Sequence, residues 1–310
     1  MKIISYVAAI VNEKKKRLVC VGLCLMMGII TVSAQMKLSL NPEAGTKYEY
    51  HMETLQNIKQ NVMGQEIPVE TEMSGTYLME IKNKTSQEIQ VQLTYLDITF
   101  IVTNPMMNIR YDSKKPNGNP SEMDKTFEKM FKALINSPFT IVFEPGGSVK
   151  SVTGMEVIIE KMIAAVSADG QLAAQMGAQM SQQFSGESMK NMFGQVFNFF
   201  PENAVKIGDS WNVENTILMS NINLGIKSKN TLKGINANKA TIEVAGDIDM
   251  DMEGGKLSGK QTGTMIVDTV TGMPATTEIS QNMKGSIKAQ GMDIQMEMTT
   301  KTKTSAKVIK

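Results

Sequence analysis

Alternation of apolar and charged residues is the feature that most limits what this chain can fold into. From 242 to 252 every second residue is apolar or glycine, and most of the residues between them are acidic. A period of two sends the two sets to opposite faces of a β-sheet. One face is then apolar and the other is wet, as in an antiparallel sheet that packs on one side only.

The same alternation recurs along the chain and predicts roughly nine or ten long strands. Near Tyr95 the apolar residues change parity within one segment, which predicts a β-bulge. Glycine-rich breaks such as 253–255 and 271–274 separate the segments, as hairpin turns require. Further alternating segments are 67–81, 222–226, 279–287 and 292–298.

The middle of the chain, about 122–200, has a helical period instead. Apolar residues spaced by three and four positions predict amphipathic helices near 122–136, 154–167, 171–184 and 187–200, the third being the weakest. Strands precede and follow these helices, whereas a parallel α/β fold would alternate strand and helix. We therefore predict a mainly β (α+β) fold, a curved antiparallel sheet or open half-barrel with four inserted helices packed on its apolar face.

The area of the apolar face bears on function. Nine strands of about 12 residues offer roughly 1,700 Å² on one face, and four 14-residue helices cover roughly 800 Å². Either the sheet curls around the helices, or an apolar cleft remains, or a partner covers the rest. The residues expected to be buried are Phe127, Phe131, Ile159, Ile163, Phe193, Phe197, Trp211, Ile242, Val244 and Ile248.

Residues 1–34 are predicted to be a cleavable signal peptide. A cationic stretch at 14–17 precedes an apolar run at 18–32, and Val32 and Ala34 place small residues before a cleavage site at Gln35. An uncleaved anchor is the alternative. We expect a periplasmic or extracellular protein with no transmembrane segment after cleavage, and residues 35–310 forming one domain with the helical insertion. Two domains divided near Pro201 are the alternative.

Composition excludes several classes of protein. Cys20 and Cys24, the two cysteines, lie before residue 35, so the exported chain has no disulfide or thiolate site. Five of the 32 basic residues and one of the 31 acidic residues also lie there, which leaves a slightly acidic chain without a basic cluster. Nucleic acid is therefore not an expected partner.

No catalytic residue, metal site or cofactor is expected. His51, the single histidine, shares parity with charged neighbours and is expected to face water. One histidine cannot build a histidine-cluster zinc site. Asp249 and Asp251 have the spacing of a solvated strand face. The 27 methionines lie mainly on apolar parities, so core filling is favoured over a soft-metal site.

Three stretches support a resemblance to known proteins: 146–149 leading into Met155 and Glu156, 200–211, and 267–274. Together they resemble an uncharacterised family of exported bacterial envelope proteins from Bacteroidetes, a domain of unknown function. The order of strands, helices and strands is more distantly similar to lipoprotein carriers of the LolA and LppX type. That likeness implies an open half-barrel whose helices lie on its concave side and leave a lipid-holding cavity.

These observations favour a non-enzymatic binding protein that carries a lipid or another apolar ligand between sheet and helices. The helix near 171–184 is the candidate lid, because its small, uncharged residues bury little apolar surface. A structural or protein-interaction module of the envelope is the alternative, and an enzyme is the third hypothesis. The side chains predicted to line the ligand site are Met176, Met180, Met189, Phe193 and Phe197.

Overall fold

Long antiparallel hairpins make up most of the fold. The computed structural model describes residues 35–166, 186–219, 222–289 and 291–309. Nine strands have ten or more residues: β1 Lys47–Val62, β2 Gln65–Lys84, β3 Ile89–Thr103, β7 Ser210–Met219, β8 Ile222–Asn236, β9 Lys239–Met252, β10 Gly255–Asp268, β11 Pro274–Ala289 and β12 Met292–Ile309. Three shorter strands are β4 Asn108–Asp112, β5 Phe139–Phe143 and β6 Val149–Thr153.

All twelve strands belong to one open antiparallel sheet. Its order is β6-β5-β3-β2-β1-β12-β11-β10-β9-β8-β7, and β4 pairs with β3 beside β5. The prediction of a mainly β, antiparallel fold is therefore confirmed. The β1–β12 pairing runs from Lys47 opposite Ile309 to Asn61 opposite Gln295 and joins two sets of consecutive hairpins.

The predicted bulge in β3 is confirmed. Tyr77 of β2 pairs with Tyr95 and Thr76 pairs with Asp97, so the ladder skips Leu96. This extra residue keeps the apolar side chains on one face while their parity in the sequence changes.

Three helices lie between the two sets of hairpins: α1 Glu122–Leu134, α2 Met155–Val166 and α3 Gly186–Phe197. The prediction of four inserted helices is corrected to three in the segments that the structure describes. The fourth predicted helix, 171–184, lies outside the described residues. Its small and uncharged residues gave the weakest helical pattern of the four.

The two faces of the sheet differ in charge. The outer face carries exposed cross-strand ion pairs, for example Lys284 with Glu297 at 2.7 Å and Lys59 with Glu66 at 3.1 Å. Asp249 and Asp251 both lie near Lys256, at 3.2 and 3.7 Å, as expected of a solvated face. On β1, β2 and β8–β12, all inner-face residues are uncharged between the level of Tyr50 and the turns of the β1–β2, β9–β10 and β11–β12 hairpins.

The helices pack on this inner face. Side chains of α2 and α3 share one apolar cluster with β1–β3, β5 and β8–β10, hereafter the helix cluster. Of the residues expected to be buried, Ile159, Phe197, Ile242, Val244 and Ile248 are buried. The others are half-buried: Phe127, Phe131, Ile163, Phe193 and Trp211. The two phenylalanines of α1 stack on Phe100 and Tyr111 of β3 and β4, away from the centre of the cluster.

Helix α3 contacts both edge strands of the sheet, β6 and β7. On one side Phe143 of β5 meets Phe197 edge to face at 4.9 Å. On the other, Asn198, just after the helix, donates a hydrogen bond to Asn215 of β7 at 2.6 Å. The two edges are the opposite ends of the strand order, so α3 lies between them.

The segment 36–41 forms backbone hydrogen bonds with three separate loops near α3 and the edge strands. The amide of Met36 donates to Val205 at 2.8 Å, that of Leu40 to Pro145 at 3.2 Å, and that of Asn41 to Thr271 at 2.7 Å. Val205 and Thr271 belong to two of the sequence stretches that support the family resemblance, and Pro145 immediately precedes the third. These motifs therefore shape the turns that close this end of the fold.

Candidate functional site

A single row of polar residues crosses the inner face of the sheet. Direct cross-strand pairing aligns one inner-face residue from each of seven neighbouring strands, β8 to β12 and then β1 and β2. None of the seven is apolar and none is charged. We call this set the polar row: Ser228, Gly246, Gln261, Gln281, Thr300, Gln56 and Thr71.

Hydrogen bonds connect the row. Gln281 Nε2 donates to Gln261 Oε1 at 3.2 Å, and Gln261 Nε2 donates to Ser228 Oγ at 2.5 Å. The second bond passes across β9 where Gly246, which has no side chain, leaves room for it. Gln56 Nε2 donates to Thr300 Oγ1 at 3.3 Å. Ser228 and Gln261 are buried and the other members are half-buried, so these bonds give the buried polar groups of the row the partners that they need.

The polar row divides two apolar regions of the same face. On one side lies the helix cluster. On the other lies a second cluster, hereafter the hairpin cluster, built around Ile226, Ile248, Leu257, Met283, Met296 and Met298. All of its residues come from strands, and none of the described helices contributes a side chain to it. The described helices therefore pack on only one side of the row.

Asn230 lies two residues after Ser228 on the inner face of β8, on the side of the polar row where the helix cluster lies. It is 2% exposed. Its Nδ2 donates to the carbonyl of Phe199 at 3.3 Å, and Trp211 Nε1 donates to the same carbonyl at 2.8 Å. Asn230 Oδ1 is the one buried side-chain oxygen or nitrogen in the described segments without a hydrogen-bond partner. An unpaired buried acceptor costs about 1–3 kcal/mol, so this atom needs a partner from elsewhere.

An aromatic ladder lines the face on the helix side of the row. The rings of Tyr50 and Tyr77 stack at 5.2 Å, and the ladder continues through Tyr95 and Phe139 to Phe193 of α3. Tyr50 donates to the carbonyl of Pro274 at 3.0 Å. Burial raises the pKa of Tyr77, with a smaller contribution from Tyr95, and burial also raises the pKa of Tyr95. This part of the interior therefore disfavours charge.

The residues predicted to line the ligand site fall into two groups. Met189 and Phe197 are buried in the helix cluster, and Phe193 packs against that cluster with its ring 5.4 Å from Phe139. Met176 and Met180 lie outside the described residues, and their assignment stays a prediction. Sequence reasoning missed the polar row, although five of its seven strands contribute a glutamine or threonine on their apolar parity.

A polar cleft lies on the far side of α3. It has a volume of about 580 Å³ and is lined by the loop after α3 and by the start of β7, including Pro201, Glu202, Trp211, Asn212 and Glu214. A neighbouring cleft of about 240 Å³ has Val149 of β6 on one wall and Asn215 of β7 on the other. The two sheet edges therefore face each other across this opening beside α3.

Other kinds of site find little support in the described residues. They contain no group of three or more His, Cys, Asp or Glu side chains placed to hold a metal ion. His51 is exposed on the outer face and lies 3.5 Å from the hydroxyl of Thr76. None of the helices described is long and apolar enough to cross a membrane.

The fold and the polar row define a class: an open antiparallel-sheet protein with an uncharged inner face that its described helices cover in part. The chain belongs to a family of unknown function (DUF6263), which it matches over residues 86–274. The predicted membership of a family of unknown function is confirmed, whereas its Bacteroidetes origin and the likeness to LolA and LppX carriers stay predictions. No curated protein matches the sequence.

Solved structures show only distant similarity. A structure titled for lipid–protein interactions in lipovitellin has 8% identity and a TM-score of 0.49, and covers 86% of this chain and 26% of its own. The OccK7 protein of Pseudomonas aeruginosa has 7% identity and a TM-score of 0.22, with coverage of 86% and 100%. An outer membrane channel of Pseudomonas putida F1 has 6% identity and a TM-score of 0.20, with coverage of 86% and 97%. This chain thus spans about a quarter of the lipovitellin chain, and all three scores are too low to support a shared function.

Proposed function

We propose that this protein is a non-enzymatic binding protein that holds a lipid or another apolar small molecule on the inner face of its sheet. The observation that carries the proposal is the hairpin cluster, which strands alone build and which no described helix covers. Its six central side chains are at most 9% exposed. The half-buried side chains around them, such as Leu224, Met252 and Ile287, gain free energy when a ligand removes them from water.

A curled sheet supports this proposal. Helix α3 contacts both edge strands, and residues of both edges line the small cleft beside it. We infer that the sheet forms an open half-barrel, as the area estimate and the resemblance to LolA and LppX carriers suggested, with α3 beside the gap. A curled inner face encloses a ligand on several sides, which a flat face does not, and small-molecule sites are generally concave.

Export is part of the proposal. We expect the mature chain to begin at Gln35 and to act in the periplasm or outside the cell, because Val32 and Ala34 satisfy the small-residue rule for cleavage. The intact mass of protein recovered from the periplasm or the medium tests this. A mass that retains the first 34 residues would show that the segment is an anchor.

The binding proposal predicts a co-purifying apolar molecule. Native mass spectrometry of freshly purified protein should show an added mass that organic extraction removes, and acyl lipids should raise the melting temperature of the extracted protein. A ligand that binds only the folded state stabilises it, by about 2.7 kcal/mol at a free concentration one hundred times the Kd.

Two leucines of the β7–β8 hairpin give a matched pair of variants. Leu224 is half-buried in the hairpin cluster, whereas Leu218 is 52% exposed on the outer face. Leu224→Asn should abolish the lipid-induced thermal shift and Leu218→Asn should leave it unchanged. No bound molecule and no thermal shift in the unaltered protein would refute the proposal and favour the envelope interaction module.

A further inference from the structure

We infer that the polar row and Asn230 recognise the polar end of the ligand, and that this end is an uncharged group bearing hydroxyl or amide hydrogens on an acyl chain. The inference rests on the proposed binding function and specifies its ligand class. The structure thus points to a neutral amphiphile, such as a monoacylglycerol or an N-acyl amide, in preference to a fatty acid or a phospholipid.

The charge distribution carries the first step. On the described residues of β1, β2 and β8–β12, the inner face has no charged residue between the level of Tyr50 and the hairpin turns, and ion pairs such as Lys284 with Glu297 lie on the outer face. A buried carboxylate or phosphate needs a paired cation or several hydrogen-bond donors, or it loses its charge. The raised pKa of Tyr77, caused mainly by burial, agrees with an interior that disfavours anions.

The unpaired atom carries the second step. Asn230 Oδ1 accepts hydrogen bonds only, and its amide nitrogen is already bonded to Phe199. Its missing partner must therefore supply a hydrogen. A hydroxyl or an amide supplies one, whereas an ionised carboxylate has none to donate. Asn230 lies two residues from Ser228 on the inner face of β8, so one polar group of a ligand can lie near both.

The apolar surroundings carry the third step. The hairpin cluster extends from the polar row toward the turn at Glu253, and on β9 Met252 is the sixth residue after Gly246. That stretch measures about 20 Å. An extended acyl chain in one bilayer leaflet spans about 15 Å, half of the hydrocarbon core, so it can lie along the half-buried side chains of this stretch, such as Met250 and Met252. Methionines on this path adapt their shape to a flexible chain.

The test compares head groups on one acyl chain. Dissociation constants are measured for extracted full-length mature protein with a monoacylglycerol, an N-acylethanolamine, the free fatty acid and a lysophosphatidic acid of equal chain length. We expect the two neutral lipids to bind at least about tenfold more tightly than the two anions at neutral pH. Equal or tighter binding of either anion overturns this inference but leaves the binding function intact. Failure of all four to bind overturns both.

A pair of glutamines gives matched variants. Gln281 belongs to the polar row, and Gln295 is exposed on the outer face of the neighbouring strand β12. Gln281→Met should weaken the binding of the two neutral lipids about tenfold and remove the head-group preference. Gln295→Met should change neither the affinity nor the preference. A folded Gln281→Met protein that keeps the preference would overturn the role of the row. If that variant does not fold, the comparison of head groups on the unaltered protein still decides the matter.

Discussion

Replacing Phe197 by alanine is expected to lower the free energy of unfolding by about 4 kcal/mol, the typical cost of removing a buried aromatic ring. Phe197 is 2% exposed and meets Phe143 of β5 edge to face at 4.9 Å. Because α3 contacts both edge strands, the cavity left by the ring also loosens a helix that lies between them. The loss should therefore lie at the upper end for a large-to-small change.

Urea unfolding followed by circular dichroism measures this effect. Phe127→Ala is the matched control, since Phe127 of α1 is half-buried and stacks at 5.3 Å on Phe100 near the rim of the sheet. We expect the control to lose about half as much free energy. Equal losses for the two variants would show that α3 has no special part in holding the sheet edges.

Replacing Gly259 by alanine is expected to cost about 3 kcal/mol, because the added methyl group has no room. Gly259 lies on the inner face of β10, next to Met283 of β11. A Cβ at this position would overlap the carbonyl oxygen of Asn282 and the Cα of Met283, which are backbone atoms and cannot swing aside. Gly246 of β9 meets the backbone of β8 in the same way. Glycines of this kind let a strand bend sharply.

The matched control is Gly118→Ala, in the loop before α1. Nothing lies within 4 Å of a Cβ built there, so its stability should change by less than about 0.5 kcal/mol. Thermal and urea unfolding of both variants measure the difference. A Gly259→Ala protein as stable as the control would mean that β10 can straighten without loss, and it would weaken the case for a curled sheet.

The alternation in the sequence predicted long strands and their two faces, whereas the short strands β4, β5 and β6 were not predicted. It also predicted the bulge in β3, because a strand can keep its apolar side chains on one face after a change of parity only by inserting an extra residue. The helical periods placed α1, α2 and α3 to within a few residues. All of these features are local, and side-chain spacing alone specifies them.

The polar row was not predictable in the same way. Six of the seven strands contribute a glutamine, threonine or serine and β9 contributes Gly246, and a single such residue on an apolar parity has no clear meaning. The row exists because strand register aligns Gln261, Gln281 and Thr300 side by side, and register depends on tertiary pairing. The expected burial of Phe127 and Phe131 was too high for a similar reason, because the place where α1 packs on the sheet also depends on tertiary contacts.

The pairing of β1 with β12 affects how the protein is made. Lys47 lies opposite Ile309, so β1 must wait for the much later synthesis of β12 before this ladder is complete. Contacts this distant in sequence make folding slow. Until then the free edge of β1 can pair with other chains. For a chain exported as proposed above, that delay would favour a chaperone that holds the chain until β12 is available to pair with β1.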